Sequence, residues 1–104
     1  MGEIIIYVTA SREDEAAKIA KALVESRFAA CVNIISNLRS IYRWEDKVQD
    51  DNEALMIIKT MDYRFEDVKR KVEELHSYSV PEIIAFPVTQ GAEKYLAWLA
   101  GSVG

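Results

Sequence analysis

Apolar residues recur along this chain in two rhythms, and the alternation between them predicts the fold. Ile4–Thr9 is a short apolar run ending at Ser11, as a buried strand would be. Ala16, Ile19, Ala20, Leu23 and Val24 then fall at i, i+3, i+4, i+7 and i+8, the stripe of an amphipathic helix. Ser11 is its expected N-cap, and Glu13, Asp14 and Glu15 fill the first turn, where the helix dipole favours acids. Ala29–Ile35 reads as a second strand, interrupted at Ser36-Asn37 and resumed through Arg39–Trp44. Asp46 to Asn52 is the expected polar turn of a hairpin, and Asn52–Thr60 returns as a long strand. A second helix is expected over Arg64–Ser77, with Phe65, Val68, Val72 and Leu75 on its apolar side. Pro81 breaks it, and Glu82–Val88 makes a strand ending near Pro87. Ala92–Ala100 is a short terminal helix with an apolar triplet of Tyr95, Trp98 and Leu99.

The order is β-α-β-β-α-β plus a helix. Right-handed crossovers turn that order into an α+β, ferredoxin-like βαββαβ sandwich with a C-terminal helix. The hairpin strands are longer than a lone sheet of this size needs, and they display Tyr42 and Trp44 on one face. Such an edge is an aggregation hazard in a monomer, and a symmetric oligomer removes it. The other resolution is a terminal helix folded over the aromatics.

Composition narrows the function more than the fold. The 104 residues make one domain, 1–104, with no repeat, linker or low-complexity tract. A net charge of −4 argues against nucleic acid as the main partner, because phosphate binding needs a basic field. No apolar run approaches the roughly 20 residues of a membrane helix. The start of the chain carries no basic region or cleavage site, so no signal peptide is expected. With a single cysteine, Cys31, and no internal disulfide, a reducing cytoplasm is the simplest compartment.

Candidate chemistry concentrates in His76-Ser-Tyr-Ser-Val-Pro-Glu82, which holds the only histidine. His76 falls on the core-facing side of the second helix, in its last turn. It reads either as a terminal histidine bonded to its neighbours or as a metal ligand or proton shuttle beside Tyr78 and Glu82. Cys31 reads as a small buried hydrophobe or, as a thiolate, a ligand for soft metals such as copper(I). Lys59 ends an apolar strand, either snorkelling or pairing with Glu82 or an anion in a cleft between subunits. Trp44 at the hairpin tip reads as an anchor for a neighbouring chain. Phosphate loops, dinucleotide fingerprints, nucleophile elbows and H-E-x-x-H or C-x-x-C motifs are all missing from the sequence, so no enzyme is expected.

Six segments then form a pattern. They are Val8-Thr9-Ala10, Ala29 through Ile34, Ser40-Ile41-Tyr42-Arg43-Trp44-Glu45, Glu53 through Thr60, His76-x-Tyr78-x-x-Pro81-Glu82, and Tyr95-Leu96-x-Trp98-Leu99. In that order and spacing the chain resembles the CutA divalent-cation-tolerance proteins over essentially its whole length. It departs at Ser77, where the family usually has proline, and at Asp46, where it usually has glycine. Val8 and Leu75 stand where members credited with copper ligands resemble a cysteine and a histidine. The resemblance implies a tight homotrimer, similar in build to the PII signalling proteins. It also implies association with copper or another divalent cation and a cytoplasmic location. The expected metal ligands in this chain are His76, then Glu82 and Cys31, with Lys59, Tyr78 and Trp44 lining a cleft. The alternative is a PII-like trimeric sensor or scaffold that binds a small anionic ligand or nucleotide between subunits. An acylphosphatase on the same fold would want a glycine loop where Thr9-Ala10-Ser11-Arg12 stands.

Overall fold

The computed structural model describes residues 2–104. Every second residue of β1 (Glu3–Ala10) is apolar and buried, and this face receives the helices: Ile6, Val8 and Ala10 are fully enclosed. From α1 (Glu13–Glu25) come Ala16, Ile19, Ala20 and Leu23; from α2 (Phe65–Leu75) come Val68 and Val72. Together with Ala54, Met56 and Ile58 of β3 (Lys47–Met61) they form one core. The sheet is completed by β2 (Cys31–Trp44) and β4 (Ile83–Pro87), in the order β2-β3-β1-β4 with every neighbouring pair antiparallel. This is the ferredoxin-like arrangement the element order predicts. A final helix, α3 (Glu93–Ser102), lies against β3 and β1 and buries Leu99.

Four local features depart from the sequence expectation, each for a physical reason. Ser11 does not cap α1. Arg12 occupies the N-cap position without a side-chain bond, and Glu15 reaches back to accept from both the Ser11 N–H and its hydroxyl. Val24, counted in the apolar stripe, is exposed, because α1 ends there in a Schellman turn. Phe28 N–H bonds Leu23 C=O and Arg27 N–H bonds Val24 C=O, with Arg27 left-handed at φ 64°. The expected 46–52 turn is only two residues long. Glu45 and Asp46 both take positive φ, 51° and 63°, as a type I′ hairpin requires, so Trp44 already faces Lys47. Finally, α2 stops at Leu75, preceded by a 3-10 turn at Asp62–Arg64, and His76 is its extended C-cap.

The short turn has a large consequence. Beyond an irregularity between Ile35 and Leu38, β2 and β3 pair only with each other, from Leu38–Glu53 to Trp44–Lys47. Asp and Asn are poor strand formers, yet Asp50 and Asp51 stay in the ladder with side-chain partners, and Asn52 stays paired in register with Arg39. Arg39 grips Asp50 with two bonds of 2.9 and 2.7 Å, and the Tyr42 hydroxyl donates to Asp51 at 2.6 Å. The result is a two-stranded arm projecting from a molecule 44 Å long and 25 × 22 Å across. Its aromatics are not covered by α3: Trp44 is 46% exposed, and Ile41 and Val48 are 64% and 67% exposed.

Candidate functional site

Because β4 pairs with β1 only from Val8 to Ile4, the connection before it must pass the end of β1. A buried imidazole fixes its path. The His76 side chain is fully enclosed; its Nε2 lies 2.7 Å from the Thr9 carbonyl oxygen, and its Nδ1 accepts the Tyr78 N–H at 3.0 Å. A carbonyl can only accept, so Nε2 carries the proton and Nδ1 is bare: the ring is the neutral Nε2–H tautomer. Both ring nitrogens are thereby committed to backbone. Glu15 backs this clamp, its second oxygen accepting Ser77 N–H at 2.6 Å and lying 3.8 Å from His76 Nδ1. Withdrawal from water pushes the Glu15 carboxyl up, but the hydrogen bonds from Ser77 and Ser11 outweigh it and bring its pKa down to about 2.

The clamped connection delivers Tyr78, Val80 and Glu82 to a cavity of about 710 Å³. The opposite wall comes from the arm, with Tyr42 and Trp44, and the floor from Thr9 and Glu53. Glu53 is only 7% exposed and accepts the Tyr78 hydroxyl at 2.8 Å. Desolvation first, and the bond to Glu53 next, hold the Tyr78 phenol well above its ordinary value. Tyr42, bonded to Asp51, is pushed up to about 12. Glu82 rises above the usual carboxylate range through desolvation and then through the Glu53 charge. Arg39 also lines the cavity, with its Nε and Nη2 donating to Asp50, which offsets its charge. Among the described residues neither Glu53 nor Glu82 has an ion-pair partner. The site is a negatively charged hollow with aromatic and apolar walls.

Of the residues singled out from sequence, the fold therefore gathers Tyr78, Glu82 and Trp44, with His76 immediately behind them. Cys31 and Lys59 lie elsewhere. They face each other across β2 and β3 in register, and Lys59 also pairs with Ile5 of β1, four positions from Thr9. At about 3.3 Å per residue that places them roughly 13 Å along the sheet from the cavity floor. Lys59 makes no ion pair with Glu82; its ammonium sits 5.7 Å over the Tyr95 ring instead. The Cys31 thiol meets Asn33 at 3.7 Å. No group of three or more His, Cys, Asp or Glu side chains gathers among the described residues in a way that could hold a metal ion. Glu15 and Glu53 are the residues sequence reasoning passed over. Glu15 looks like any first-turn acid, and nothing local marks it as the partner of a residue 62 positions on. Glu53 had one usable signal: it directly precedes the apolar run from Ala54 to Ile58, in which Ala54, Met56 and Ile58 are buried.

Comparison with known proteins agrees with the fold and with the sequence pattern. The family model described as "CutA1 divalent ion tolerance protein" matches residues 4–102. A divalent-cation tolerance protein CutA of Thermus thermophilus is 47% identical, covering 98% of this chain and 99% of its own. A solved structure of the Thermus thermophilus protein superposes with a TM-score of 0.95. The chloroplastic CutA of Arabidopsis thaliana is 46% identical over 95% of this chain, which spans 54% of that protein's length. A solved structure from Archaeoglobus fulgidus, described as a periplasmic divalent cation tolerance protein, is 39% identical over 98% of this chain and 99% of that one, with a TM-score of 0.94. The chain belongs to the CutA1 divalent ion tolerance family.

Proposed function

We propose that this chain is a non-enzymatic, homotrimeric divalent-cation-tolerance protein of the cytoplasm that binds copper or another divalent cation. The observation that carries the cation reading is the pair Glu53 and Glu82, two carboxylates lining one cavity whose one cationic side chain, Arg39, is paired with Asp50 instead. A hollow of that sign favours cations, and it disfavours the anionic ligand or nucleotide of a PII-like sensor. Lys59, the residue an anion would need, is not at the cavity. No helix among the described residues is long and apolar enough to cross a membrane.

Of the three expected ligands, Glu82 is the one with an oxygen free to meet a cation. His76 has no spare nitrogen, and Cys31 is remote. Glu82 and Glu53 offer hard oxygen donors, which suit ions that complete their shell with water and serve copper(I) poorly. Calorimetric titration of metal-free protein with zinc(II) and copper(II) tests this. Glu82→Gln is expected to weaken binding about tenfold, as loss of a charged ligand should. Wild-type affinity should fall as pH drops into the carboxylate range, with no step near the histidine value of about 6.5. Unchanged affinity in Glu82→Gln removes that ligand, and absence of binding to either metal overturns the reading.

A further inference from the structure

The cavity is the wrong size and has the wrong walls for a bare ion alone. A volume of about 710 Å³ falls within the 300–1,000 Å³ of small-molecule pockets, where a few polar groups orient a mostly apolar ligand. Here the polar groups are Glu53 and Glu82, and the walls are Tyr42, Trp44, Tyr78 and Val80. Negative charge beside aromatic faces is the recognition chemistry of organic ammonium ions, which are attracted to the ring quadrupole within about 6 Å of its centroid. Both tyrosines are tuned for it. Each donates its hydroxyl to a carboxylate, Tyr42 to Asp51 and Tyr78 to Glu53, so electron density is pushed toward the rings. Sign, size and wall chemistry are three separate observations, and they agree.

The geometry points to a binding site for a small primary ammonium compound carrying an apolar or aromatic group, its charge between Glu53 and Glu82 and its body against Tyr42 and Trp44. This rests on the cation-binding reading of the cavity and extends it to a class of ligand that needs no metal coordination. Glu82 has both carboxylate oxygens for recognition, whereas Glu53 has one committed to Tyr78. Glu53 supplies charge from the floor, and Tyr78 fixes it in place.

Three probes of one shape separate the contributions: 2-phenylethylammonium, the neutral 2-phenylethanol and the anionic phenylacetate. Each is titrated by calorimetry into the full chain, freed of metal and held in chelator, with backbone amide shifts followed by NMR. Saturable binding of the ammonium is expected, with shifts at Tyr42, Trp44 and the Tyr78–Glu82 connection, and at least about tenfold weaker binding of the other two probes. Glu82→Gln should cost about the same factor for the ammonium alone. That variant should also fold, since Glu82 makes no hydrogen bond or ion pair among the described residues and sits with a raised pKa. In unmutated protein the same loss should appear as acid neutralises Glu82. Equal binding of alcohol and ammonium would overturn the proposal, leaving only an apolar pocket. So would the lack of any saturable response, as when a neighbouring subunit's side chain fills the hollow. If zinc(II) binds the same sample while the ammonium does not, only this inference fails. If neither binds, the cation reading fails with it.

Discussion

Glu15 is held ionised by three donors, the Ser11 N–H and hydroxyl and the Ser77 N–H, and this makes it an acid-sensitive latch on the end of α2. Its folded pKa, about 2, lies below the ordinary carboxylate value of 4.5. A depressed pKa contributes stability that is fully present above the unfolded value and is lost as pH falls through the folded one. The window is therefore pH 4.5 down to 2. Glu15→Gln keeps the shape but weakens the charge-assisted bonds. Urea melts at pH 7 should show a loss on the order of 2–3 kcal/mol relative to wild type, with the difference shrinking toward zero near pH 2. A difference that stays constant across that range would assign the cost to shape rather than charge. His76 behaves oppositely to its reading as a ligand. The histidine is visible in the sequence, but of its two partners only Tyr78 is local; Thr9 lies 67 positions away, on backbone that only the folded β1 brings near. A residue's chemistry is legible here; whether that chemistry is already used up is not.

Among the elements, strands and helices are readable wherever an apolar period continues without interruption, as in β1, α1 and the Leu55–Ile58 run of β3. The hairpin turn is not, because Gln49–Asn52 look like loop residues, and their cross-strand partners are not visible from local sequence. The two-residue turn that replaces the expected loop is strained. Left-handed conformation costs most L-residues roughly 1–2 kcal/mol, and while Asp46 is of a type that tolerates it, Glu45 is not. The pair Asn-Gly suits type I′ geometry without that cost. Glu45→Asn with Asp46→Gly should stabilise the folded chain by about 1 kcal/mol, read as a rise in urea midpoint at unchanged slope. A destabilised double variant would mean that Glu45 or Asp46 makes contacts in the assembly worth more than the strain.

At the scale of the whole molecule the arm is the feature that a single chain leaves unfinished. Two-stranded ribbons are marginal in water without a third strand or a packed face. Cross-strand partners share a face, so Ile41 and Asp50 lie with Arg43 and Val48, while Tyr42 and Trp44 point the other way. Apolar residues thus emerge from both faces of the ribbon, and one covering helix could not bury them all. A second exposed apolar surface lies on the sheet face opposite α1 and α2, where Ile84 and Phe86 stand beside Tyr7, the last two rings in edge contact at 5.0 Å. Length and aromatic content suggest an oligomer from sequence alone; the two-sidedness of the arm depends on where the turn falls, and that needs the structure. The proposed homotrimer, with each arm against a neighbouring copy, would remove both surfaces together. Light scattering on a sizing column should return three times the 11.8 kDa chain mass. Ile41→Asp with Val48→Asp puts charge on one face of the arm and leaves the core untouched. The double variant should shift toward single-chain mass and melt at least about 10 °C lower, with a midpoint that no longer rises with protein concentration. A wild-type chain of single mass, or a double variant that keeps both mass and melting point, would show that the arm is stable without a partner.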